Sequence, residues 1–222
     1  MTANEAARLI DISAVRTAHS LPDIEEVISV AKKYNFINVH SLPCWTKDVS
    51  DLLQDAPEVY VGAPVGFPGG AHKTCTKVLE AKELIADGVE EMDIVMNVGK
   101  FKNKEYDYVL NELNEIIALA PDNVLTKVII ELNCLTDEEL DKACELVMQT
   151  KADFLKTGTG WVPGDANVAR IARIKELTHG KIKVKAAGGI RTREEFEQLC
   201  DLGVERFGIN TKSALEIVES FN

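Results

Sequence analysis

Strand-like and helix-like segments alternate along this 222-residue chain with little between them, and no other feature restricts its fold as strongly. "ARLIDIS" is followed by the helical "LPDIEEVISVAKKYN", whose Pro22 stands where a first helical turn tolerates a missing N–H. Next come "FINVHS" with "TKDVSDLLQDA", "VYVGAPVGF" with "TKVLEAKELIADG", and "EEMDIVMNV" with "YDYVLNELNEIIALA". The second half continues with "TKVIIEL" and "TDEELDKACELVMQ", "DFLKTG" and "NVARIARIKELTH", "KIKVKAAGG" and "REEFEQLCDLG", then "ERFGIN" and "SALEIVESFN". Strands joined by helices of about ten to fifteen residues pair in parallel through crossovers. Eight such units in about 220 residues predict an α/β fold, a single (β/α)8 TIM barrel with residues 1–222 as one domain. An error of one unit would leave an open, doubly wound sheet instead.

Barrel geometry places chemistry at the C-terminal ends of the strands. In "ADFLKTGTGW", Lys156 follows the apolar Phe154-Leu155 pair and precedes small turn residues, so it stands at such an end. Alternate residues of a barrel strand point inward while the others pack on helices. In "KIKVKAAGG", Ile182 and Val184 face the helices, which leaves Lys181, Lys183 and Lys185 on the inward parity, the first two toward the bottom of the barrel and Lys185 near its top. The same alternation puts Asp93, Val95 and Asn97 inside, sets Asp11 with Ser13, and groups Lys127, Ile129 and Glu131. Buried charges cost several kcal/mol per unpaired ion, and structural ion pairs are the simpler account of any one of them. Taken together, Lys156, Lys185 and Asp93 suit chemistry better.

Two close lysines have a specific use. Lysine attacks a carbonyl only as the free amine, a form that makes up less than about 0.1% of an unperturbed lysine at pH 7. A second ammonium at about 6 Å costs roughly 3 kcal/mol, or about 2 pKa units. Such an amine forms an imine, the protonated imine stabilises a carbanion on the next carbon, and Asp93 is placed to move protons directly or through water. The four histidines lack ligand spacing, so no metal site is expected.

Two glycine turns, "AAGGIRT" and "FGINTKS", follow the last two strands, where barrels often bind phosphate on backbone N–H groups. Gly188, Gly189 and Gly208 allow close approach, and Asn210, Thr211 or Ser213 offer side-chain donors. "GTGWVPG" and "GFPGGAHKT" have neither dinucleotide nor Walker spacing. The formal net charge of -11 argues against nucleic acid as a partner, so an anionic substrate must be drawn by a local site. Five cysteines without a CxxC pair fit reduced thiols, most of them as small core residues. With no long apolar run and no signal-like start, the expected location is the cytoplasm, away from membranes.

With these residues in hand, the chain resembles the deoxyribose-phosphate aldolase family over nearly its whole length. The most specific segments are "ADFLKTGTG" and "VKAAGGIRT", supported by "VGFPGG", "MDIVMNVG", "KVIIEL" and "RFGIN". The resemblance implies a cofactor-independent class I aldolase that reversibly cleaves 2-deoxyribose 5-phosphate into acetaldehyde and glyceraldehyde 3-phosphate. It implies Lys156 as the Schiff-base lysine, Lys185 as the lysine that lowers its pKa, and Asp93 as the proton-relay carboxylate. Lys127 and Thr159 match further substrate-site residues, Asp11 and Asn38 fall in the substrate pocket, and Gly160, Gly188, Gly189 and Gly208 match the phosphate-binding backbone, with Asn210 and Thr211 beside them. The chain departs from the family at Ile12-Ser13, at Asn38-Val39-His40, at Gly158, at Ile209-Asn210-Thr211 and at Trp161, all of which touch the substrate pocket more than the imine machinery. Three alternatives stay open: a related class I lyase on another phosphorylated sugar, a sugar-phosphate isomerase with Glu131 as base, and a non-catalytic binding barrel. A homodimer is compatible with the sequence, which does not itself report oligomeric state.

Overall fold

The computed structural model describes residues 1–164 and 167–221. Eight parallel strands close into a barrel in sequence order: β1 (Ile10–Ala14), β2 (Asn38–Ser41), β3 (Tyr60–Val65), β4 (Glu91–Val95), β5 (Leu125–Ile129), β6 (Phe154–Lys156), β7 (Lys183–Ala187) and β8 (Arg206–Asn210). β1 pairs with β8 through Asp11 opposite Gly208, which completes the ring. The helices between strands are α2 (Leu21–Tyr34), α3 (Thr46–Leu52), α4 (Thr74–Ala86), α6 (Tyr106–Ile117), α7 (Asp137–Val147), α8 (Val168–Thr178), α9 (Arg193–Asp201) and α10 (Thr211–Glu219). All eight expected units are present.

Two short helices escape the sequence pattern: α1 (Ala3–Ala7), ahead of the first strand, and α5 (Val98–Lys102), between β4 and α6. Each is five residues long, too short to show a 3.6-residue apolar repeat. α1 is instead fixed by a capping box in which Thr2 and Glu5 satisfy each other's backbone N–H groups. Similar boxes start α2 at Ser20, α7 at Thr136 and α9 at Thr192. The helix expected over "SALEIVESFN" ends at Glu219, and its last residue, Asn222, lies outside the described residues.

The apolar core is the shell between barrel and helices. Strand residues of one parity, including Ile10, Ile12, Met92, Ile94, Val128, Leu155, Val184 and Phe207, are fully buried against Ile24, Leu84, Leu113, Leu140, Ile174 and Phe196 on the helices. The opposite parity fills the barrel interior with charge. Of the five cysteines only Cys144 is buried; Cys44 and Cys75 are exposed, so the expectation of mostly core thiols is wrong. The reason is that Cys44 lies in a 3₁₀ turn after β2 and Cys75 in the first turn of α4, where neither faces the core. No helix among the described residues is long and apolar enough to cross a membrane.

Candidate active site

Strand register builds the site. Asp93 on β4 sits beside Lys127 on β5, Lys156 on β6 beside Lys185 on β7, and Lys185 beside Arg206 on β8. All are inward-facing, so the barrel interior is an ion cluster. At its top, Asp93 Oδ2 accepts from both Lys156 Nζ (2.6 Å) and Lys185 Nζ (2.8 Å). One carboxylate oxygen thus holds two ammonium groups closer together than the sum of those contacts. Lys185 also pairs with Asp11 Oδ2 at 2.5 Å.

Deeper in the barrel, Lys127 pairs with Glu91 and lies 3.2 Å from Asp93 Oδ1. Arg206 donates to Asp11 Oδ1 at 2.7 Å and to Glu91 Oε1 at 3.1 Å. Phe154 closes the floor, its ring faced by Lys183 at 5.4 Å, Arg206 at 5.7 Å and Lys127 at 6.0 Å. Lys183 is exposed at the bottom end and Lys181 lies exposed just before β7, as their early positions suggest.

Burial opposes every charge here, and neighbours decide which survive. For Asp11 the burial cost is outweighed by Lys185, Arg206 and Lys127, so its carboxyl lies well below the usual range. Asp93 is likewise held well below its ordinary value against burial, with His40, Lys127, Lys156 and Lys185 facing it. Lys127, although buried, is raised by Asp93, Glu91 and Asp11. Lys185 behaves oppositely. Burial, reinforced by Lys127 and Lys156, lowers it to about 8 even with Asp11 and Asp93 pulling the other way.

Above the cluster opens a cleft of about 1040 Å³, whose floor includes Asp11, His40, Lys156 and Lys185. Thr159, Gly160, Gly188, Gly189, Gly208, Asn210 and Thr211 all line it. Gly160 and Gly188 have φ of +74° and +92° and face each other, a Cβ on Gly188 falling 3.6 Å from the Gly160 Cα, so the two turns approach as only glycines allow. Asn210 caps α10 by accepting from the Ser213 N–H, and the buried Thr211 hydroxyl has no hydrogen-bond partner among the described residues.

Three site residues lie deeper than the cleft lining, and one expectation, the inward parity of Glu131, needs correction. Lys127, Asn38 and Asp93, all fully buried, lie beneath the cleft lining: Lys127 is drawn down by Glu91, Asn38 backs His40, and Asp93 meets the cleft through Lys156 and Lys185. Glu131 does not continue the inward parity of Lys127 and Ile129, because β5 ends at Ile129 and Glu131 takes φ +52°. Its carboxylate accepts from the Thr159 backbone N–H and hydroxyl, with which it anchors the loop after Lys156. The Thr159 hydroxyl is therefore already committed.

Sequence reasoning passed over His40, Glu91 and Arg206. Each sits two residues from a recognised position (Asn38, Asp93 and Gly208), so strand parity alone carried the signal. His40 is 4% exposed, and burial pushes its imidazole down to about 4. Its folded value lies below the ordinary 6.5, so the unfolded chain binds the extra proton between those values. Stability is expected to fall by about 3 kcal/mol as pH drops from about 6.5 to about 4. A further loss follows as Asp11 and Asp93, whose values are depressed, are forced to take protons below the usual carboxylate range. Urea unfolding midpoints measured from pH 7 to 3 check this; a flat profile would contradict the burial of a neutral His40.

A closed parallel barrel with two lysines on one aspartate, at the floor of a cleft rimmed by glycine turns, has the architecture of a lysine-dependent aldolase. Comparison with known proteins narrows the class. The chain is 42% identical over 220 residues to a deoxyribose-phosphate aldolase of Klebsiella pneumoniae, covering 98% of this chain and 88% of that protein. It is 40% identical to one from Bacillus cytotoxicus over 94% of this chain and 93% of that protein. Among solved structures, an aldolase described as QR15 superposes with a TM-score of 0.91 at 37% identity, covering 98% of this chain and 96% of that one. The deoxyribose phosphate aldolase of Aeropyrum pernix, described as a unique tetramer, superposes with a TM-score of 0.90 at 26% identity over 99% and 92% of the two chains. No family model matches the chain. The chain belongs to the deoxyribose-phosphate aldolase family.

Proposed function

We propose that this barrel reversibly cleaves 2-deoxyribose 5-phosphate into acetaldehyde and glyceraldehyde 3-phosphate, with Lys156 as the imine-forming amine. The observation that carries this reading is the shared oxygen: Asp93 Oδ2 bonds both Lys156 and Lys185 at the cleft floor. Four cations (Lys127, Lys156, Lys185 and Arg206) meet three carboxylates (Asp11, Glu91 and Asp93) in a nearly dry interior. With cations in excess by one, Lys185 is the buried lysine whose ammonium is disfavoured, lowered to about 8 by burial and by Lys127 and Lys156. Both amines touch Asp93 Oδ2, and Lys156, the one nearer the opening at 7% exposure, is the amine that a substrate carbonyl can reach.

The free amine adds to the substrate aldehyde, and the carbinolamine takes up one proton from the surrounding cluster as its hydroxyl leaves as water, giving the iminium. Loss of the C3 hydroxyl proton then breaks the C2–C3 bond, with the electron pair drawn into the iminium to form an enamine. Asp93, at hydrogen-bond distance from the reacting nitrogen, is the proton acceptor. Protonation at C2 and hydrolysis release acetaldehyde. The phosphate rests on the N–H groups of the Gly188–Gly189 turn and the N-terminal end of α10, with Asn210 and Thr211 beside it. Phosphate binding on N–H groups suits a chain of net charge -11, because the attraction is confined to the cleft. Glu131, the base the isomerase reading needs, is engaged by Thr159 and is not among the residues lining the cleft.

Borohydride reduction with and without acetaldehyde, followed by peptide mass mapping, tests this assignment. An ethyl adduct confined to the peptide carrying Lys156 is expected. Folded protein that gives no adduct at neutral pH, or an adduct elsewhere, would overturn it.

A further inference from the structure

His40 is a buried titratable group that the imine chemistry above leaves idle, yet it sits against the proton acceptor. Its Nε2 lies 3.2 Å from Asp93 Oδ2, the same oxygen that holds both lysines. On the other side of the ring, Nδ1 lies 2.8 Å from Asn38 Oδ1. With the Asn38 amide oxygen against it, Nδ1 carries the ring hydrogen and Nε2 is the acceptor facing Asp93; with the amide nitrogen there, which would also satisfy the orphaned Asn38 Nδ2, the hydrogen sits on Nε2. A proton-accepting role for His40 needs the first of these tautomers, in which buried Nε2 has a lone pair free for a proton. In that tautomer Nε2 and Asp93 Oδ2 are both acceptors, and the donors Lys156 and Lys185 on the same oxygen offset their repulsion.

The strand beside it is built around this ring. His40 pairs in register with Gly62 on β3, and a Cβ on Gly62 would fall inside contact distance of both His40 Nδ1 and Asn38 Oδ1. β3 therefore supplies space where any other residue would press on the ring. The charged groups facing the imidazole are Asp93 from β4, Lys127 from β5, Lys185 from β7 and Asp11 from β1. The ring also opens onto the cleft floor beside Lys156.

We propose that His40 stores the substrate's proton between bond cleavage and product release, acting through Asp93. This rests on the aldolase reading above and adds a step to it. As C2–C3 breaks, the C3 hydroxyl proton passes to Asp93 Oδ2, the O–H pair becomes the second bond of the new carbonyl, and the C2–C3 pair converts the iminium to a neutral enamine. The proton moves on from Oδ2 to His40 Nε2. It returns by the same path to C2 of the enamine, which restores the iminium for hydrolysis. The iminium charge lost at the enamine stage is thus replaced by an imidazolium next to Asp93, and the interior keeps the same net charge throughout. Proton affinities support the order, since Asp93 is held well below the usual carboxylate range while His40 lies at about 4.

The test compares the unmodified protein with His40→Gln, whose amide fills the site but cannot hold a proton, and with Asn38→Leu, which keeps the imidazole and removes its Nδ1 partner. Three readouts are taken: borohydride trapping of acetaldehyde, wash-in of deuterium from D2O into the acetaldehyde methyl group followed by NMR, and steady-state cleavage. In His40→Gln, trapping at Lys156 stays within about twofold, while deuterium wash-in and kcat fall about 100-fold at a KM changed less than about threefold. Asn38→Leu loses about tenfold in wash-in by the same criterion. Wash-in and kcat within about threefold of the parent in both variants would overturn the storage role while leaving Lys156 in place. Parallel loss of trapping and wash-in would also overturn it, because it would show His40 only shaping the pocket. Absence of the Lys156 adduct in the unmodified protein would remove both readings together.

Discussion

Lys156→Ala is expected to lower kcat/KM for 2-deoxyribose 5-phosphate cleavage by on the order of 10⁴-fold or more, and to abolish the borohydride adduct. The physical reason is that no other amine reaches the same place: Lys185 is 1% exposed and held between Asp11 and Asp93, and Lys127 lies beneath the cleft. Stability should hardly change. Asp93 keeps Lys185 and Lys127 as partners, and removal of one cation of the four leaves three cations against three carboxylates. Lys156→Arg should lose as much activity, because it retains a charge and lacks a nucleophile. Full turnover in either variant would sink the imine assignment, and a large drop in melting temperature in Lys156→Ala would indicate that the lysine serves the fold.

Glu91→Gln has the largest expected effect on stability. Glu91 is fully buried and carries Lys127 on one oxygen and Arg206 on the other. The neutral amide leaves those two cations with only Asp11 and Asp93 between them, while Lys185 and Lys156 already claim both carboxylates. Breaking one member of a buried ion cluster costs about 3–5 kcal/mol, or roughly 10 °C in melting temperature for a chain of this size. Urea unfolding at pH 7 checks it. A change below about 1 kcal/mol would mean that the deep charges are solvated or already neutral.

The two variants separate the cluster into layers. The upper layer around Asp93 reaches the cleft and is proposed to do the chemistry, whereas the lower layer of Glu91, Lys127 and Arg206 over Phe154 keeps the upper one charged and in place. Lys127 illustrates the division. Its residue type and position resemble a substrate-site lysine, but Asp93, Glu91 and Asp11 raise its pKa, which suits a fixed cation and not a titrating one.

Much of this was legible in the chain because barrel strands repeat every two residues. That period assigns Asp93, Lys156 and Lys185 to the interior from their neighbours alone, and the eight alternations set the barrel. The same period would have added His40, Glu91 and Arg206, had it been extended one step along β2, β4 and β8. It misled at Glu131, where a residue with φ +52° ends the strand's alternation and turns the carboxylate to Thr159. Backbone conformation at a single residue leaves no mark on apolar periodicity.

The sequence by itself determined the order and number of the strands and of the long helices that follow them, and which residues within the strands face inward, because both follow from local periodicity. The tertiary structure decided who pairs with whom. Asp11 meets Arg206 across 195 positions and Lys156 meets Asp93 across 63, contacts that exist only because closing the barrel sets a particular register between strands. It also decided which lysine is depressed, since that depends on burial and on the distances to every neighbouring charge, and both are properties of the closed barrel.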